Sequence, residues 1–336
     1  MNLKNTLFAI ALVSGLGIAT SALANDFDTA KSHYDNKNYS QAFSIFKMLA
    51  EQGNKDAQAE LGVMYFFGIG VQQDVQQATN WYRKAAHQGN AKAQVRLAQL
   101  YMMDKDFTQA ANWYRKAAEQ GDVHAQVALA TMYVNGEGMP ENLTQAANWY
   151  RKAAEQGHTD AQVILADMYQ KGEGVPKDLT QAANWYRKAA EQGNSTSQFN
   201  LASMYEKGEG VPKDLTQAAN WYRKAAEQGN SAAQVNLGFM YYKGEGVPKD
   251  FTQAANWYQK AESAVQKDVL TRKESLIKSL VSRGYFLLGL DYQRGAGVKK
   301  NTKTANEWFN KACDLGHQKS CNQLGRIVIS EIIYED

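Results

Sequence analysis

Gln181-Ala182-Ala183-Asn184-Trp185-Tyr186-Arg187-Lys188-Ala189-Ala190-Glu191-Gln192-Gly193 decides how this chain folds, because the string recurs almost unchanged along most of its length. Every tryptophan in the protein belongs to a copy of it: Trp81, Trp113, Trp149, Trp185, Trp221, Trp257 and Trp308. The intervals are 32, 36, 36, 36, 36 and 51 residues, and Tyr follows each Trp except the last, where Phe309 follows Trp308. All four prolines (Pro140, Pro176, Pro212 and Pro248) share one repeat position. A fixed period in this range marks stacked supersecondary units, none of which buries its apolar face alone.

One unit reads from Asp160 to Gly193. Ala161, Leu165 and Met168 stand at i, i+4, i+7 spacing, which predicts a short first helix. Gly172-Glu173-Gly174-Val175-Pro176 then ends it, since Gly takes left-handed backbone readily and Pro cannot continue a helix. Asp178 is the expected N-cap of a second helix, with Gln181 completing a capping-box pattern. Leu179, Ala182, Trp185, Tyr186 and Ala189 form the second apolar stripe, and Gly193 closes the unit. Helices this short are marginal alone in water, so stability has to come from stacking. The Trp series is accordingly the expected structural core.

The pattern A-x-x-W-Y-x-K-A-A-x-x-G, followed by A-x-x-x-L-A-x-x-Y and G-x-G-V, resembles the Sel-1-like repeat, a relative of the tetratricopeptide repeat. The resemblance covers roughly residues 37 to 325. It implies an all-α fold, a right-handed α/α superhelical solenoid of about seven repeats. A degenerate N-terminal helix pair and a C-terminal capping helix would close its ends. First helices would line the concave side and second helices the outside.

Residues 1–24 read as a signal peptide. Lys4 gives a positive start, Leu7 to Val13 a short apolar core, and Ala22-Leu23-Ala24 a small-x-small cleavage pattern. The apolar run is too short to span a bilayer, so no membrane insertion is expected after cleavage. The expected location is the periplasm of a Gram-negative bacterium or beyond it. Residues 25–54, with Tyr39, Ala42 and Phe46, form the degenerate pair; 55–266 hold the tandem repeats. Residues 267–317 make a final repeat, and 318–336 the cap. The 51-residue interval, containing Val265 to Leu270 and Leu276 to Leu280, predicts two lengthened helices projecting from the array. The 32-residue interval replaces the glycine loop with Tyr101-Met102-Met103-Asp104-Lys105-Asp106.

Lys plus Arg number 37 against 34 acids, a net charge of +3, which offers no basic footprint for nucleic acid. Cys313 and Cys321 are the only cysteines. In an oxidising compartment they read as a disulfide, as the resemblance to the cysteine-rich secreted branch of the family also implies. The histidines lack the spacing of a zinc-binding helix, and no metal or cofactor is expected. That same branch is associated with β-lactam chemistry, and Ser-x-x-Lys occurs at Ser44–Lys47 and Ser275–Lys278. The Ser-Asp-Asn and Lys-Thr-Gly elements of serine β-lactamases are absent, so no catalytic residue is assigned.

One contrast points to binding. Second helices repeat almost verbatim, whereas three first-helix positions vary: Glu60, Arg96, Ala128, Ile164, Asn200 and Asn236; Val63, Gln99, Thr131, Asp167, Ser203 and Phe239; Phe66, Met102, Val134, Gln170, Glu206 and Tyr242. They sit three residues apart and share one helix face. The expected function is a monomeric, non-enzymatic scaffold or adaptor of the bacterial envelope, holding a protein or peptide partner on that face. The alternatives are a secreted host-interaction factor and a β-lactam- or peptidoglycan-interacting enzyme.

Overall fold

The computed structural model describes residues 26–263 and 272–325. The segment 1–24 expected to be a signal peptide, the Val265–Leu270 part of the 51-residue interval and residues 326–336 lie outside them. The described residues are helical throughout, with the helices packed as consecutive pairs. A first helix, α1, runs over 26–35. It is followed by α2 (Tyr39–Glu51), α3 (Lys55–Phe67), α4 (Val75–His87), α5 (Ala91–Met103), α6 (Phe107–Glu119), α7 (Val123–Asn135) and α8 (Leu143–Glu155). These belong to one compact unit, residues 1–158. The second unit, residues 159–336, holds α9 (Thr159–Lys171), α10 (Leu179–Glu191), α11 (Ser195–Lys207), α12 (Leu215–Glu227), α13 (Ser231–Lys243), α14 (Phe251–Ser263), α15 (Arg272–Arg294), α16 (Thr302–Asp314) and α17 (Gln318–Gln323).

The loop chemistry explains why the pairs are so uniform. Gly208 ends α11 at φ 76°, and Gly210, two residues on, also has positive φ. A Cβ on Gly210 would stand 2.0 Å from the carbonyl oxygen of Leu179, at the start of α10. Glycine is required there because backbone meets backbone. Asp178 caps α10, accepting from the amides of Thr180 and Gln181 at 2.9 and 3.0 Å. The capping box is only half used, however. The Asp178 amide donates to the Tyr169 carbonyl of α9 and so ties the second helix to the first. The short α5–α6 loop has no glycine, and Lys105 takes φ 60° instead.

Within each pair the aromatic side chains divide the work. The tyrosines Tyr82, Tyr186, Tyr222 and Tyr258 are buried to 1% exposure or less, and Phe46 takes the equivalent place in α2. The tryptophans lie further out. Trp113, Trp149, Trp185 and Trp257 are 6–9% exposed, while Trp81, Trp221 and Trp308 are half-buried. Each of the first six indoles is covered by the Lys three residues on, with Nζ about 4 Å from the ring centre. The Arg-Lys stripe is therefore only partly a solvated surface: its lysines close the indole layer through cation–π contact.

In the 51-residue interval α15 is lengthened as expected, with 23 residues; α14 is described as far as Ser263, and the Val265–Leu270 part of the expectation lies outside the described residues. The added turns of α15 do not project. Ile277 and Val281 are buried in one cluster with Val235, Phe251 and Tyr258, because α15 lays this apolar stripe on the preceding pair. At the other end, Cys313 and Cys321 form the expected disulfide, with Cα atoms 4.8 Å apart, and so join α16 to α17.

Candidate functional site

Three second helices, α8, α10 and α12, send a tyrosine hydroxyl through the layer to the variable face of a first helix. Tyr150 Oη lies 2.9 Å from Thr131 Oγ1. Tyr186 donates to the Asp167 carboxylate and lies 2.9 Å from the Gln170 side-chain oxygen, with Asn200 alongside. Tyr222 donates to Glu206 at 2.8 Å, with Ser203 and Asn236 alongside. Burial pushes the Tyr186 and Tyr222 phenols well above their ordinary value, and the neighbouring carboxylates reinforce the shift. Much of the sequence variation on this face is thus a choice of acceptor for a buried phenol.

The remaining candidates fall elsewhere. Arg96 and Gln99 are exposed on α5, and the Arg96 guanidinium donates to Gln99 Oε1 at 3.1 Å. Met102 and Ile164 are half-buried. The Phe239 ring packs edge-on against Tyr258, with centroids 5.3 Å apart. Tyr242 lies against Phe251 and has Asp291 of α15 beside it, which with burial raises its phenol. Arg96, Gln99 and Met102 belong to the first unit, and the residues from Ile164 to Tyr242 to the second.

A second network accounts for the constancy of the other helices. Gln58, Gln94, Gln126, Gln198 and Gln234 are buried. Each donates to a carbonyl of the preceding helix: Ala50, Ala86, Ala118, Ala190 and Ala226. Four of their side-chain oxygens accept from the glutamine that follows the next second helix, as in Gln88 to Gln58 at 2.8 Å and Gln228 to Gln198 at 2.8 Å. Arg187 and Arg223 reach Asn184 and Asn220 on their own helices, and Tyr205 and Tyr241 on neighbouring ones. Residues that look exposed in the repeated string therefore have structural partners. Their invariance gives the contrast between the two helix types a structural cause. Sequence reasoning passed over this ladder, although Ala-Gln and Gln-Gly at fixed positions signalled it.

On the variable face of the first unit lies a cavity of about 600 Å³ lined by Glu60, Val63, Tyr82, Arg96 and Gln99, among others. A second, of about 840 Å³, is lined by Ser275, Lys278, Arg283, His317 and Lys319. One Ser-x-x-Lys string therefore faces an open basic hollow. In the other, Ser44 Oγ donates to its own helix at Ser40 O and Phe46 is buried in the core. Among the described residues no group of three His, Cys, Asp or Glu is placed to hold a metal ion. No described helix is long and apolar enough to cross a membrane.

Comparison with known proteins agrees with this geometry. The family model described as Sel1 repeat matches residues 34–54, 55–90, 91–122, 123–158, 159–194, 195–230, 231–264 and 282–317. The first match falls on the segment expected to be degenerate, so eight copies are recognised where about seven were anticipated. Among solved structures, the chain is 35% identical to c5321, described as a protective antigen of uropathogenic Escherichia coli strains displaying an SLR fold. That alignment covers 84% of this chain and 66% of the antigen, with a TM-score of 0.61. A Sel1 repeat protein from Oxalobacter formigenes is also 35% identical, over 73% of this chain and 99% of that one, with a TM-score of 0.55. The Helicobacter pylori cysteine-rich protein B is 29% identical over 38% of this chain, with a TM-score of 0.31. A search of curated proteins found no match.

Proposed function

Since the chain belongs to the Sel1 repeat family, we propose that it is a non-enzymatic binding scaffold, exported from the cytoplasm, that takes a protein partner on the variable face of its first helices. The observation that carries this reading is the cavity on that face in the first unit. Its rim residues Arg96 and Gln99 are exposed, and the surrounding framework is locked by the glutamine ladder. Rigid framework with variable, accessible side chains is the usual arrangement for recognition on repeat arrays. The disulfide supports an oxidising location.

Asp167 and Glu206 are poor probes of binding, because each holds a buried phenol and its reversal would disturb folding as well as surface. A photo-crosslinking residue at Gln99, compared with one at exposed Glu119 on α6, separates the two effects. In intact cells Gln99 should yield a discrete partner, identified by mass spectrometry, and Glu119 should not. Equal labelling from both positions, or labelling from Glu119 alone, would refute the reading.

The likeness to a structure described as a protective antigen favours a second reading, action outside the cell on a host protein. Mature chain in the culture medium of an intact-cell preparation would support it over the periplasmic scaffold.

A further inference from the structure

The six Trp-Tyr repeats do not treat their phenols alike. Tyr186 and Tyr222 donate to carboxylates of their own first helices, and Tyr150 pairs with Thr131. Tyr82 is 1% exposed and its hydroxyl has no hydrogen-bond partner. The reason lies in two substitutions at equivalent places. The positions of Asp167 and Gln170, which receive Tyr186, are held by Val63 and Phe66 in the Tyr82 repeat. Where Asn200 lies beside Tyr186 and Asn236 beside Tyr222, Tyr82 has Arg96. The repeat has an apolar residue where Tyr186 finds its acceptor and has gained a cation, so the Tyr82 hydroxyl is left without an acceptor, while the Arg96 guanidinium gives one donor to Gln99 and keeps its others. A buried donor left unmatched costs about 1–3 kcal/mol and calls for an explanation, and the residue that carries it lines a cavity.

Tyr258 also has an unpartnered hydroxyl, but its surroundings differ. Phe239 covers one side of its ring, and Gly284 of α15 lies so close that a Cβ there would come within 2.6 Å. Tyr82 instead lines the open cavity with Arg96 and Lys92.

We propose that this cavity binds a ligand carboxylate, which accepts from Tyr82 and Arg96 as Asp167 and Glu206 accept from phenols inside the other repeats. Lys92 adds positive charge at the wall. Two acids also line it. Asp122 is committed to capping α7 through the Ala125 amide at 2.8 Å, and Glu60 faces the same space. Their charge favours a monoanion over a phosphate dianion. The inference rests on the reading that this face takes a partner, and adds the chemistry by which one end of the face would recognise it: an acidic side chain or chain terminus.

The test is a titration of the whole chain, followed through the Arg96 guanidinium and Tyr82 ring resonances. The probes are acetate, inorganic phosphate, alanine pentapeptide with a free carboxyl terminus, and the same peptide amidated. The free acid should bind about tenfold more tightly than the amide, and Tyr82→Phe and Arg96→Gln should each weaken it by about tenfold, the size expected for one charge-assisted hydrogen bond. Tyr82→Phe should leave the melting temperature unchanged or higher, since it removes an unmatched buried hydroxyl. Tyr222→Phe, which breaks a formed bond, should lower melting and leave binding intact. A lower melting temperature for Tyr82→Phe with unchanged binding would mean a purely structural hydroxyl and would overturn the proposal. So would equal binding of acid and amide, or phosphate binding more tightly than acetate. Acetate binding as well as the peptide supports the carboxylate site and assigns it to small acids. Cross-links from Gln99 that persist in Tyr82→Phe cells refute this inference alone; loss of cross-links with intact acid binding refutes the partner reading alone.

Discussion

Gly62 shows how closely the tyrosine layer is fitted. A Cβ at this position would stand 2.6 Å from Cδ1 and Cε1 of Tyr82, a ring with almost no exposure. Gly62→Ala should therefore lower stability by about 1–3 kcal/mol, the usual cost of overpacking, measured as a fall in denaturation midpoint. Other repeats carry Ala at the equivalent place (Ala98, Ala130, Ala166 and Ala202), so part of this cost is relieved if the ring can move back. The opposite change is expected at Lys105, which holds a left-handed backbone with a side chain attached. Lys105→Gly should raise stability by about 0.5–1 kcal/mol by removing the steric penalty of that conformation, and the same measurement checks it. The Gly-x-Gly loops announced themselves in the sequence. A lysine doing the work of a glycine did not, because residue type alone carries no φ.

Single helices owe their limits to caps that the sequence displayed well. Asp178, Asn194 and His317 all stand immediately before a helix and all accept a backbone amide. His317 is a cap whose side chain can take up a proton. Its Nδ1 lies 3.3 Å from the Ser320 amide and must be deprotonated to accept. Burial, helped by the charge of Lys319, lowers its pKa below the ordinary 6.5. The folded state thus binds its proton less readily than the unfolded one. The contribution is fully present above pH 6.5 and is lost as pH falls through the folded pKa. Protection of the α17 amides, taken relative to the intrinsic exchange rate at each pH, should fall with acidification over that window, and His317→Gln should flatten the dependence. The disulfide from Cys313 to Cys321 limits the opening, contributing about 2.5 kcal/mol by loop closure. What the helices touch was less legible. Ile277 and Leu280 were visible as apolar residues, yet their placement on α15 against the preceding pair depends on which neighbour offers an apolar surface.

Over each compact unit, stability comes from neighbours repeated in register, and the phenols make this measurable. Tyr82, Tyr186, Tyr222, Tyr258 and Tyr285 all have values raised above 10.0, with burial the leading cause. Unfolded chains lose these protons first, so stability is fully present below pH 10 and falls as the pH rises further. An alkaline titration followed by tyrosine absorbance and circular dichroism checks this. The buried set should ionise only together with loss of helical circular dichroism. Smooth ionisation of every tyrosine with helicity intact would contradict the layer described above.

The sequence by itself determined the repeat, its helix pairs, its loops and the pairing of its two cysteines, because each depends on local geometry: periodicity, capping and left-handed glycines. It also picked out the face on which residues vary. Only the tertiary structure decided what those residues do. Asp167 and Glu206 are acceptors for buried phenols, while Arg96 stands beside a phenol that has none. That distinction needs side chains from two helices of one pair and one of the next, brought together across a layer. No spacing along a single helix records it.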